Sequence, residues 1–321
     1  MKRTVLILLA ILSLVSCGRG AGTQSAPEYR RFPAVKVPGI CTEKDEIVAY
    51  LVTHFWDGYF AGGGVTDSAA VLGVRKGDLE QGFADYLGLL DMVPMAEAQK
   101  SVGVLFGKVE ACQAADTSSL FFLRFTEMAE RYFYDPNSPL RNEDWFLPFV
   151  RGLASSPYTR EDMRAGYAYQ AQMCAMNQVG TKAPDFRFKD ARERVHSLYA
   201  VKAEYTMLFF SNPFCPSCKS IMDDLATRPY LDDFIARGRL AVVNIYIDEE
   251  HEKWLEYEPT YPRNWLTGYD WQYSIREDRL YDVRAIPSLY LLDRDKNVIM
   301  KDAPTERVLA FLDRIANDQN T

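Results

Sequence analysis

Cysteine and histidine are scarce in this chain, with six and three in 321 residues. Six cysteines are too few to hold a chain of this length together as a disulfide scaffold. The three histidines, His54, His196 and His251, stand singly, so none supplies the second ligand pair a zinc site needs, and no metal is expected. Positive charge is also short, with Lys+Arg 37 against Asp+Glu 44 for a net charge of -7. No basic run is interleaved with aromatics, which excludes nucleic acid as an expected partner. What is present is ordinary globular composition, 48% hydrophobic and 25% charged with Gly 19 and Pro 16. That excludes a disordered or collagen-like chain, and the length predicts about two domains.

The leader sets the compartment. Lys2 and Arg3 precede an apolar run from Val5 to Val15, the charged and apolar regions of a secretory signal. The run falls short of the roughly 20 residues that span a bilayer. Leu14-Val15-Ser16-Cys17 resembles the bacterial lipobox, which implies a signal peptide over residues 1–16 and a lipid on Cys17. A plain signal peptide cut near Ser16 is the alternative. Residues 17–40 are expected to form the lipidated cysteine and a flexible tether. Gly18 is not the acidic residue associated with inner-membrane retention, so the expected location is the cell envelope, anchored to the outer membrane. The stretch from Arg19 to Pro27 carries no acidic surface-export signal, so the expected face is the periplasmic one.

Residues 41–178 read as an all-α domain of four to six helices. Thr42 with Asp45 makes a capping-box-like start, and Ile47, Tyr50, Leu51, His54, Phe55 and Tyr59 follow at helical spacing. Further helices are expected from Asp78, after Pro94, from Ser118, and from Thr159 with Asp162. Residues 179–321 change in texture. Tyr205 to Phe210 and Leu240 to Ile247 are apolar strands, and the segments before and after Asp293 to Asn297 form a hairpin, with a terminal helix from Thr305 to Asn317. The fold class is therefore α plus α/β, a helical domain followed by a sheet domain with flanking helices.

Cys215-Pro216-Ser217-Cys218 follows a strand and opens a helical run. Free N–H groups and the helix dipole at that point favour a thiolate on Cys215, and the i, i+3 spacing lets Cys218 close a disulfide with it. Covalent haem would need histidine where Lys219 stands. A static structural disulfide is the remaining alternative.

At these residues the chain resembles the thioredoxin-like superfamily, in particular its TlpA/ResA-like branch. The opening segment Val179 to Phe186, the Cys215 to Cys218 motif and Arg284-Ala285-Ile286-Pro287-Ser288 before a strand carry the resemblance. It implies a cis Pro287 lying against the cysteine pair and an Ile286 backbone that pairs with substrate. Phe214 keeps an aromatic wall before the motif, and Pro216, Ser217 and Lys219 support it. Phe209 and Ile221 stand where relatives carry buried carboxylates. Water, Lys219 or Asp223 are then the candidate proton acceptors for Cys218. Tyr134 to Asp144 resembles a segment of helical modules fused ahead of thioredoxin-like domains in Bacteroidetes lipoproteins.

The resulting expectation is a lipid-anchored periplasmic thiol-disulfide oxidoreductase of reductase type, with no organic cofactor. Its partners would be protein thiols or disulfides in the cell envelope and a redox partner protein. A partner-binding lipoprotein using the sheet domain as a scaffold is the alternative. Cys112 and Cys174 either pair or remain buried thiols, with Cys41 unassigned. The acidic stretch Asp248 to Glu258, with Trp254, Trp265 and Trp271 nearby, reads as a long solvated insert.

Overall fold

The computed structural model describes residues 29–317, so the signal segment, Cys17 and the start of the tether lie outside the described residues. Within them the first half contains α1 (Lys44–His54), α2 (Asp57–Ala61), α3 (Lys76–Leu90), α4 (Met95–Ala115), α5 (Phe121–Phe133), α6 (Glu143–Ser155) and α7 (Glu161–Cys174). A short antiparallel ladder, β1 (Ala70–Val71) with β2 (Val74–Arg75), lies between α2 and α3. Seven described helices exceed the four to six expected. Neither anticipated capping box forms: Glu43 and Arg160 occupy the N-cap positions of α1 and α7 without a side-chain cap. Acidic residues in both first turns complement the helix dipoles instead.

Helix α6 is the largest addition, and its sequence hides it. Pro148 sits inside the helix and cannot donate to the Asp144 carbonyl. The Gln99 side chain of α4 takes that carbonyl at 2.9 Å, so the helix continues. Asn142 caps it by accepting the Trp145 N–H at 3.1 Å. At Gly152 a Cβ would lie 2.3 Å from the Phe106 ring, so only glycine lets α4 and α6 approach this closely. The core between the helices is aromatic, with Trp56, Tyr59, Phe83, Tyr86, Phe125 and Phe149 buried in one cluster. Cys174 is buried in that core, Cys112 packs against it, and both are free thiols.

The second half contains β3 (Arg187–Lys189), β4 (Val195–Ser197), β5 (Tyr205–Phe210), α8 (Pro216–Ala226), α9 (Leu231–Ala236) and β6 (Leu240–Tyr246). It continues with α10 (His251–Tyr257), β7 (Leu266–Tyr269), α11 (Ser274–Glu277), β8 (Ser288–Leu292), β9 (Val298–Met300) and α12 (Thr305–Asn317). The sheet has seven strands in the order β4-β3-β7-β6-β5-β8-β9. β5, β6 and β7 run parallel, β8 lies antiparallel beside β5, and β9 lies antiparallel beside β8 at the sheet edge. One face packs on α8, α9 and α12 and the other on the segment around Phe186, Ile275 and Tyr281. The stretch read as a long insert holds α10 and β7. Trp254 is fully buried there and Trp265 nearly so, while Glu249, Glu252 and Glu256 are exposed.

The two halves meet over buried charge. Glu143, 2% exposed, lies 2.7 Å from Lys301 and 2.7 Å from Arg284. Lys301 also donates to the carbonyls of Cys174 at 2.9 Å and Met176 at 2.6 Å. Arg141 donates to the Asp302 carbonyl at 2.9 Å, and Arg284 to the Asp302 carboxylate at 3.0 Å. Asp144 accepts the Val179 N–H at 2.9 Å and so fixes the segment between domains.

Asp282 lies beside this cluster, with one carboxyl oxygen buried and without a hydrogen-bond partner. Burial first, then repulsion from Glu143, pushes its pKa up to about 6, against the pull of Arg284 and Lys301. The folded state therefore holds this proton more tightly than the unfolded chain. Its stabilising effect is present below the ordinary value of 3.8 and is lost as pH rises through about 6. Asp282→Asn, which cannot ionise, should raise the melting temperature at pH 7.5, by about 2–4 °C for each kcal/mol recovered. At pH 4 the gain should vanish. A substitution that stabilises equally at both values would refute the assignment.

Candidate functional site

The apolar strand β5 is buried in the sheet, and the chain leaves it through Ser211-Asn212-Pro213-Phe214 before entering α8. Cys215 takes the N-cap position of α8, with Pro216 as the first helical residue, where its missing N–H costs nothing. Its sulfur accepts the Cys218 N–H at 3.2 Å. Phe214 turns the chain with φ 61 and leaves its side chain 68% exposed, edge-on to Tyr257 at 5.2 Å between centroids. The first cysteine is thus half-buried at the surface beside an exposed aromatic.

Cys218 lies one turn into α8 and is 2% exposed. Burial, with the neighbouring Cys215 sulfur adding to it, pushes its thiol up to about 12. Both cysteines are free thiols in the structure. The two sulfurs therefore differ in access and environment, with one presented outward and the other held behind it.

Lys219 and Asp223 do not serve the buried thiol. They pair with each other at 2.7 Å on the solvent side of α8, each more than 60% exposed. Phe209 and Ile221, the positions where the resemblance would place carboxylates, are buried. The polar groups beneath α8 are instead Ser211, Asn244 and Tyr261. Ser211 donates to Asn244 at 2.6 Å and its hydroxyl is 3.4 Å from that of Tyr261. Burial raises the Tyr261 phenol, and the nearby Cys218 contributes to the rise. Sequence reading missed this set because its members come from three separate segments, and only Asn244, a polar residue in the apolar strand β6, left a local signal.

The Ile286–Pro287 peptide bond is cis. Ile286 and Cys215 both pack against the hydrophobic cluster under α8, so the proline loop and the cysteine motif share one end of the sheet. Phe210 of β5 pairs with Ser288 of β8, which fixes that juxtaposition by register. Cys215 and Ile286, the chain neighbours of Phe214 and Pro287, are thus brought to one end of the sheet, while Lys219 faces away. Among the described residues no cluster of His, Cys, Asp or Glu could hold a metal ion.

Two family models match the chain: a domain of unknown function (DUF5106) over residues 16–177 and the AhpC/TSA family over residues 179–301. Among solved structures, a thioredoxin-like protein from Bacteroides caccae is 32% identical with a TM-score of 0.74, the match covering 88% of this chain and 98% of that one. The C-terminal domain of an uncharacterized protein from Bacteroides fragilis is 40% identical, with 42% of this chain and 97% of that one covered and a TM-score of 0.41. A domain described as a possible thiol-disulfide isomerase from Cytophaga hutchinsonii is 27% identical, with coverages of 46% and 98% and a TM-score of 0.37. No curated protein matches. The sheet domain has the thioredoxin-like thiol-disulfide oxidoreductase fold.

The difference between the sulfurs is measurable. Limiting iodoacetamide at pH 8, followed by peptide mapping of the reduced protein, should label Cys215 at least about tenfold faster than Cys218. Equal labelling would contradict the arrangement described.

Proposed function

The chain belongs to the DUF5106 family, its helical domain joined to an AhpC/TSA-type thioredoxin-like domain, and on that footing we propose that it is a thiol-disulfide oxidoreductase working as a reductase. The observation that carries the reading is the cysteine pair itself. Cys215 sits outward at a helix start with an N–H on its sulfur, and Cys218 waits, buried, one turn behind.

In the reaction, the Cys215 thiolate attacks a substrate disulfide. The substrate S–S bond breaks, its first sulfur leaves as a thiolate and takes a proton, and a mixed disulfide joins the second sulfur to Cys215. Cys218 then loses its proton and attacks the Cys215 sulfur. That step forms the Cys215–Cys218 disulfide and releases the second substrate thiol. Two electrons pass to the substrate, and a dithiol partner protein restores the pair. No organic cofactor or metal takes part. Ile286 offers its backbone to an extended substrate segment, Pro287 lines the approach to the sulfurs, and Phe214 with Tyr257 gives that segment an apolar surface. Substrates are protein disulfides of the cell envelope, and a lipid on Cys17 holds the enzyme at the outer membrane, facing the periplasm.

Cys215→Ser should abolish turnover of a peptide disulfide, whereas Cys218→Ser should accumulate a mixed disulfide visible by mass. Retained turnover in Cys215→Ser would falsify the mechanism and return the domain to a scaffold role. The potential of the pair, equilibrated against glutathione, should lie nearer the thioredoxin end of the range from about -270 to about -120 mV; a value at the oxidising end would overturn the reductase direction. Cys17→Ser should release the protein from the membrane fraction, and an unchanged distribution would remove the anchor.

A further inference from the structure

Arg284 stands two residues before Ile286 in the loop assigned to substrate, yet most of its partners belong to the other domain. Its Nε lies 2.7 Å from Glu143, and one terminal nitrogen donates to the Tyr134 carbonyl. The guanidinium also lies 3.9 Å from the centroid of the Tyr134 ring. The remaining terminal nitrogen donates to Asp302 at 3.0 Å. Both the fork and the flat face of the side chain are engaged, and it is 11% exposed. Glu143 is held from its other side by Lys301. Asp302 is held by Arg141 and is followed by Ala303, whose N–H bonds the Leu289 carbonyl on β8.

We propose that the helical domain positions the substrate loop, with Glu143 and Tyr134 clamping Arg284 so that the Ile286 backbone is set in register for an incoming disulfide-bearing segment. The proposal rests on the oxidoreductase reading above. Two residues of chain separate the clamp from Ile286, a reach of at most about 7 Å, so fixing Arg284 restricts where the Ile286 groups can lie. Main-chain pairing with a substrate is sensitive to that placement, since backbone hydrogen bonds need donor and acceptor within about 3 Å and weaken steeply beyond it, so a displaced Ile286 binds the segment less well. Arg284 is accordingly a positioning residue. A further interdomain pair, Arg307 with Asp91, lies outside this cluster, is more exposed and comes from α12 and the end of α3, with no partner in the loop.

The test uses the full chain. Arg284→Lys keeps the charge but cannot span Glu143, Asp302 and the Tyr134 carbonyl together. With a cysteine-linked peptide disulfide as substrate and dithiothreitol as recycling reductant, KM should rise about tenfold while kcat stays within about twofold. The rate of Cys215 alkylation by iodoacetamide, which uses no loop, should not change. Glu143→Gln, removing the clamp from the helical side, should shift KM in the same direction, and serves if Arg284→Lys does not fold. Arg307→Ala should leave both readouts as in the parent protein. An unchanged KM in the folded clamp variants would overturn the proposal, as would an equal rise in Arg307→Ala or a parallel loss of alkylation. If the parent protein reduces no peptide disulfide, the oxidoreductase reading itself fails, an outcome separate from these.

Discussion

A carboxylate removed from water must be met by cations, and Glu143 meets two of them at 2.7 Å on opposite oxygens. Leaving such a group buried and unpaired costs several kcal/mol, so neither domain could bury its share of this cluster without the other. The pattern of signs then fixes how they dock. The helical domain brings Arg141 and Glu143, and the sheet domain brings Arg284, Lys301 and Asp302. A slide along the interface would set Arg141 against Lys301 or Glu143 against Asp302, or strand one charge in the dry contact. Buried ion pairs are weak contributors to net stability compared with well-packed apolar groups. Their effect here is on register, and the aromatic core of the helical domain supplies the burial that makes the register worth keeping.

The cysteine site follows a related logic with the charges left out. Phe209 and Ile221 put hydrocarbon beneath α8, and the polar set of Ser211, Asn244 and Tyr261 carries no formal charge. Nothing ionic offsets the burial of Cys218, so the reduced pair keeps that sulfur as a neutral thiol. Cys215, at the open end of the same helix, has a backbone N–H directed at its sulfur. One turn of helix thus separates an outward sulfur from an inward one, and in the proposed reaction the inward sulfur reacts only once a mixed disulfide makes its neighbour electrophilic.

Local signals carried the parts of this that are local. The Cys-x-x-Cys spacing between a strand and a helix, and the proline opening β8, are contiguous patterns, and both lie where the pattern places them. Helix α6 was hidden because Pro148 breaks the rule for helix interiors, and the residue that rescues it, Gln99, lies on another helix. Strand β7 is four residues long with Gly268 in it, too short for alternation to register. The two-residue strands β1 and β2 were invisible for the same reason. The clamp was beyond sequence reading in a deeper sense. Arg284 and Tyr134 are 150 residues apart, and nothing in either segment specifies the other as its partner. Both segments nonetheless drew attention by resemblance, one as the loop before a strand and the other as a marker of the helical module.

The sheet joins these observations at one edge. β5 delivers the chain to Cys215, β8 begins beside it at Ser288, and β9 returns toward the same end so that Lys301, Asp302 and Ala303 come back alongside Leu289. The β8–β9 hairpin therefore presents its open end to the helical domain and its first residue to the cysteine loop. Adjacent strands lie about 4.8 Å apart, so a shift of the helical domain at Lys301 has one strand spacing to cross before it reaches the loop around Ile286, while one at Arg284 acts within that loop. A domain docked there through apolar contacts alone could settle in several nearby positions, each placing Ile286 differently. A buried carboxylate between two cations favours the position in which both are met, and on the proposal above the loop around Ile286 takes its place from it.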